Sequence, residues 1–189
     1  VVMARESYYH IWESQEIHEQ VQTWKTQYPD LIHISTSQER YGLDAAGGGN
    51  NTTDDDNDVC PFYEQSGCPN YILEIQDYVV HPINSTSSNR LPEVFWSGCL
   101  HGNERVGPTS VMEAVALLLE AAQCEAMPRD SDEMDLAQTC RTTLNEKGID
   151  DRHRKWLARL VTTRRIVVVP TANALGYYQN KREEGSIDP

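Results

Sequence analysis

Val94-Phe95-Trp96-Ser97-Gly98-Cys99-Leu100-His101-Gly102-Asn103-Glu104-Arg105-Val106-Gly107-Pro108 is the stretch that decides the fold. Its first residues form an apolar run that reads as a buried strand. His101 and Glu104 follow, three apart. Gly107-Pro108 then leads into the longest helical pattern of the chain, with Val111, Met112, Val115, Leu118 and Leu119 on a broad apolar face. A polar pair at the end of a strand occupies the usual place for a site in an open α/β sheet.

The flanking sequence repeats the alternation of helix and strand. Ser14 reads as an N-cap for a helix whose Ile17, Val21 and Trp24 share one face, broken by Tyr28-Pro29-Asp30. Leu31, Ile32 and Ile34 then form a short strand. Residues 71–78 alternate as a second strand and are expected to neighbour 93–99. Residues 128–148 are polar and acidic and read as a surface loop. Asp150 caps a helix in which Trp156, Leu157, Leu160 and Val161 face inward. The β-branched run 166–169 reads as a central strand that ends in a turn, Pro170-Thr171-Ala172-Asn173-Ala174-Leu175-Gly176-Tyr177.

The 189 residues can bury one core, so one domain is expected. A net charge of −13 argues against nucleic acid and anionic membrane surfaces as partners. No apolar run approaches the ~20 residues of a membrane span. Cys60 and Cys68 bracket one short loop and Cys124 and Cys140 another, which suggests two local disulfides with Cys99 left over. Sequons at Asn50, Asn51 and Asn84 sit in polar surroundings. With the paired cysteines they favour an oxidising, secretory setting. Asp54, Asp56 and Asp58 alternate as in a calcium loop, yet Val59 stands where such a loop needs Gly and Gln65 where it needs Glu. A solvated insertion between strands is the expectation there.

His101 and Glu104 carry donor types that zinc accepts, and Gly102-Asn103 has little bulk between them. The other histidines are poor companions. His10 and His18 lie in or beside the first helix, His33 on an early strand and His81 in a turn, and His153 lies among Arg152, Arg154 and Lys155. Cys99 reads as a small buried hydrophobe. Arg182 follows the turn after the last strand, where a guanidinium can clamp a carboxylate.

The order strand, His101-Gly-Asn-Glu104, helix, strand, Pro170-x-x-Asn173-x-x-Gly176-Tyr177, Arg182 resembles the zinc carboxypeptidases of the carboxypeptidase A/B type. Tyr9, the first helix and Tyr28-Pro29-Asp30-Leu31 are similar to that family too. The resemblance implies an α/β fold, a mixed open sheet with helices on both faces, here truncated. It implies one domain over 1–189, with loop insertions at about 43–69 and 125–149. It implies one zinc ion held by His101 and Glu104, and Arg182 as the residue that polarises the scissile carbonyl. The substrate would be the C-terminus of a peptide or protein, and the setting a secreted or secretory-lumen one, with glycans on Asn51 and Asn84. The sequence departs from the family at Asn173-Ala174-Leu175-Gly176, where the family has Asn-Pro-Asp-Gly. The family's third ligand His, carboxylate-gripping Asn-Arg pair and general base Glu are expected beyond Pro189, so the 189-residue chain alone is expected to be inactive. Two other readings share the motif. One is an acylase like aspartoacylase or succinylglutamate desuccinylase. The other is a non-catalytic peptide-binding module of the same fold.

Overall fold

A computed structural model describes residues 10–47, 59–63, 67–127 and 134–183. Tyr9, Asn50, Asn51, the alternating aspartates 54–58, Gln65 and Pro189 lie outside the described residues. Helix α1 (Ser14–Gln27) buries Ile17, Val21 and Trp24 as expected. Its N-cap is Glu13 rather than Ser14: the Glu13 N–H donates to Glu16 Oε2 at 2.7 Å. Strand β1 (Ile32–Thr36) runs into the short helix α2 (Ser37–Tyr41). Thr36 caps α2 by accepting from the Glu39 N–H at 3.1 Å, and Glu39 accepts in turn from the Thr36 N–H at 2.8 Å. Strand β2 (Tyr71–Ile75) ends three residues before the sequence pattern does. Strand β3 (Glu93–Ser97) leads through the His101 loop into α3 (Val106–Ala126).

Residues 134–146, expected in a loop, form helix α4 (Met134–Glu146). Buried Ala137 and Leu144 lie seven residues apart on one stripe, with Cys140 between them bonded to Cys124 of α3. Acidic neighbours hide this stripe in the composition. Helix α5 (Asp151–Thr163) is capped by Asp150, whose carboxylate accepts from the His153 N–H at 2.9 Å. Val161 faces inward and Leu157 and Leu160 do so in part, but Trp156 is 56% exposed. The inward position in that turn belongs to Arg154, which ion-pairs with Glu125 on α3 at 2.6 Å and with Asp151 at 2.5 Å. Strand β4 (Arg165–Val169) is followed by helix α6 (Ala174–Gln179), where the sequence reads as a turn.

The four strands form one mixed sheet in the order β1-β2-β4-β3. β1, β2 and β4 pair antiparallel, while β4 and β3 run parallel, with Ser97 opposite Val169. β4 therefore stands between the two strands expected to be neighbours, and β3 is an edge strand among the described residues. Its pattern is half exposed rather than buried, with Phe95 62% exposed.

One face of the sheet carries Leu73, Ile75, Ile166 and Val168, packed in a single cluster with the apolar faces of α1, α3 and α5. Burying each such side chain stabilises the fold by about 1.5–3 kcal/mol. The other face carries Glu74, opposite Val167. Glu74 is buried and bonds both Arg165 and Arg40, with His33 Nδ1 at 3.3 Å. Burial alone would push its carboxyl up. The two guanidiniums outweigh that and hold it below the usual carboxylate range. A polar cavity of about 430 Å³ opens beside this cluster.

Candidate metal centre

The register of β3 and β4 builds the site. The two strands are adjacent and parallel, so the loops that follow them leave from the same end of the sheet. The first loop carries His101 and Glu104 and the second carries Asn173 through Arg182. They touch because Gly102 has no side chain. A Cβ there would stand 2.1 Å from the Gly176 carbonyl carbon and 2.3 Å from the Lys181 oxygen. The Gly102 N–H donates to the Arg182 carbonyl oxygen at 3.2 Å, and the Asn173 N–H donates to the Cys99 oxygen at 2.9 Å.

His101, Glu104 and Arg182, separated by up to 81 positions, thereby come together. His101 Nδ1 lies 2.9 Å from Glu104 Oε1. Arg182 Nη2 donates to His101 Nε2 at 2.8 Å, and its Nη1 lies 3.9 Å from Glu104 Oε1. A guanidinium only donates, so Nε2 accepts and the ring proton sits on Nδ1, facing Glu104. The His101 side chain is 18% exposed, Arg182 47% and Glu104 60%, so the group opens to solvent on the carboxylate side. Glu104 also lies just before the N-terminus of α3, where a negative charge is favoured.

Cys99 is buried and free, and its thiol donates to the His101 carbonyl at 2.9 Å. Burial, helped by the charge of Glu104, pushes that thiol up to about 11, so it is no nucleophile near neutral pH. Next to the site, the Arg105 guanidinium stacks over the Tyr177 ring at 4.3 Å and donates to the Tyr177 carbonyl at 3.2 Å. The Tyr177 hydroxyl donates to the Trp12 carbonyl, which ties the site's second loop to the start of α1.

An imidazole nitrogen and a carboxylate oxygen are donor types that one metal ion accepts; ligand atoms on ~2.1 Å bonds stand roughly 3–4 Å apart, so the 2.9 Å N–H···O contact would open slightly to take an ion in place of the proton. Among the described residues no cluster of three or more His, Cys, Asp and Glu is poised to hold a metal. The remaining histidines are occupied elsewhere. His10 pairs with Glu16, His18 with the Tyr71 hydroxyl, His33 with Glu74, His81 with the Thr162 carbonyl and His153 with Asp150. Asn173, a motif position with no role assigned from the sequence, also belongs to the site. An Asn directly before a short helix is an N-cap signal, and that signal was available.

Both expected disulfides form. Cys60 and Cys68 have Cα atoms 5.1 Å apart, and Cys124 and Cys140 have theirs 5.9 Å apart. The first closes a loop that packs with Ala174 and Leu175 of α6. Asn84 is exposed on the turn between β2 and β3, at a backbone φ of 62°.

No family model matches the chain, and no curated protein matches it. Solved structures do. The chain is similar to the crystal structure of thrombin activatable fibrinolysis inhibitor, with a TM-score of 0.53 and 13% identity, over 97% of this chain and 32% of that one. Weaker matches are the bovine thrombin-activatable fibrinolysis inhibitor in complex with tick carboxypeptidase inhibitor (TM-score 0.43, 12% identity, 94% and 38% covered) and carboxypeptidase A from Helicoverpa armigera (0.44, 14%, 94% and 30%). At these identities the likeness is one of fold alone, and the first match carries it. The chain spans about a third of the length of these structures. An α/β fold with a mixed open sheet and helices, similar to the first of these structures, is the result.

Proposed function

We propose that this chain carries the first part of a zinc carboxypeptidase domain that removes residues from the C-termini of peptides. The observation that supports this most is the meeting of His101, Glu104 and Arg182 at the ends of two parallel strands. A bound zinc ion supplies Lewis acidity toward a carbonyl oxygen and makes water nucleophilic near neutral pH. His101 Nδ1 and Glu104 Oε1 are its two donors from this chain, and the reading requires a further donor from the complete protein. His101 offers the Nδ1 lone pair only with its proton on Nε2. That tautomer accepts nothing from Arg182, so the guanidinium is released toward the substrate. There its N–H groups hold the developing oxyanion of the scissile carbonyl. Glu104 acts as a donor and not as a general base.

The same reading places residues 1–189 in one domain, with Asn51 and Asn84 glycosylated and the protein secreted or held in a secretory lumen. Two disulfides accord with that setting. The test is hydrolysis of an N-blocked dipeptide by the complete protein, with and without a chelator. Chelator-sensitive release of the C-terminal amino acid is expected. Turnover of an N-acyl amino acid but not of the dipeptide would replace the reading with an acylase. No turnover of either would leave a binding module.

A further inference from the structure

We infer that Asn173 is a positioning residue whose side-chain amide holds the Arg182 backbone beside the loop of His101 and Glu104. The inference rests on the zinc carboxypeptidase reading for the role of Arg182, but its geometry is independent of it. Asn173 is 4% exposed, and its four polar groups are all used. Its N–H donates to the Cys99 oxygen at 2.9 Å and its carbonyl accepts from the Tyr177 N–H at 3.0 Å. Its Oδ1 accepts from the Gly176 N–H at 2.8 Å, and its Nδ2 donates to the Arg182 carbonyl at 3.1 Å. The side chain thus joins the first turn of α6 to the backbone of Arg182, while the Asn173 backbone N–H ties both to the strand end before His101. The Arg182 carbonyl takes a second bond from Gly102, the residue after His101, at 3.2 Å. With its backbone pinned from both loops, the Arg182 side chain reaches His101 Nε2.

Asn173→Asp isolates the Nδ2 bond. The carboxylate keeps the cap on Gly176 but sets an oxygen against the Arg182 carbonyl. Asn173→Ser keeps a capping oxygen and is too short to reach Arg182. Both variants are made in the complete protein, alone and with Arg182→Ala, and checked by thermal unfolding. Losing a fixed oxyanion donor costs about 10²–10³ in kcat, and a loosened one is expected to cost roughly tenfold, with KM within about twofold. In the Arg182→Ala background the Asn173 variants should change kcat by less than about twofold, because the group they position is gone. Equal losses in both backgrounds would overturn the inference. So would a parent-like kcat in both single variants. A second measurement needs no activity. The ¹⁵N resonance of His101 Nε2 in chelator-treated protein should move alike in Asn173→Asp and Arg182→Ala, while that of His153 stays in place. An unmoved His101 resonance in Asn173→Asp overturns the positioning role. A parent without hydrolysis, by contrast, refutes only the carboxypeptidase reading.

Discussion

Replacing Gly102 with alanine perturbs the site at its closest approach. The added Cβ would meet the Gly176 carbonyl carbon at 2.1 Å, the Lys181 oxygen at 2.3 Å and Gly176 Cα at 2.5 Å. All three are backbone atoms, so no side chain can rotate away, and the loops must separate by roughly 1 Å or more to relieve the overlap. Overpacking of this kind costs about 1–3 kcal/mol. The separation also takes the 3.2 Å bond from the Gly102 N–H to the Arg182 carbonyl beyond hydrogen-bonding range, a further loss of about 0.5–1.5 kcal/mol. Alanine narrows the unfolded ensemble and returns only about 0.4–1 kcal/mol. The net expectation is about 2–3 kcal/mol of lost stability, or roughly 4–12 °C in Tm for a domain of this size. The assay is thermal and urea unfolding of the parent and of Gly102→Ala. The His101 ¹⁵N resonances report whether Arg182 has left the ring. A Tm within about 1 °C of the parent, with unshifted His101 resonances, would refute the packing of the two loops described above.

Three further outcomes are expected elsewhere in the molecule. The Glu74 carboxyl is held down by its guanidinium partners, so its contribution is present above the ordinary glutamate value of 4.5 and fades as pH falls through its lower folded value. Glu74→Gln should flatten that acid limb of a stability–pH curve and cost about 1–3 kcal/mol at neutral pH, since Arg40 and Arg165 lose a buried partner but stay partly solvated. Replacing Cys124 and Cys140 together with serine opens a loop of sequence separation 16 and should lower stability by about 3 kcal/mol in chemical unfolding. Leu73→Ala, at the centre of the core, should cost about 2–5 kcal/mol by the same assay, and a smaller loss would mean that the cluster closes around the gap.

The elements legible in the sequence are those whose signal is local. The stripe Ile17, Val21, Trp24 marks α1, the broad face from Val111 to Leu119 marks α3, and the unbroken β-branched run marks β4 as central. α4 escaped because its inward positions, Ala137, Cys140 and Leu144, are few among acidic and polar neighbours, while Leu136 points outward. The insertion of β4 between β2 and β3 is a pairing over about ninety positions that no local pattern encodes. The same distinction holds in the site. His101 and Glu104 lie three residues apart and their meeting is a property of one loop. Arg182 reaches them across 81 positions, through Gly102 and Asn173. Its place was anticipated by resemblance of motif order, and its anchoring is visible only in three dimensions.

If His101 and Glu104 are metal donors, the complete protein holds zinc through them. Zinc per protein molecule should be measured by elemental mass spectrometry on the complete protein and on its His101→Ala/Glu104→Ala variant, both purified without chelator. Close to one zinc per parent molecule is expected and almost none in the variant, with the variant still folded. A parent without zinc, or a folded variant that keeps it, would contradict the assignment.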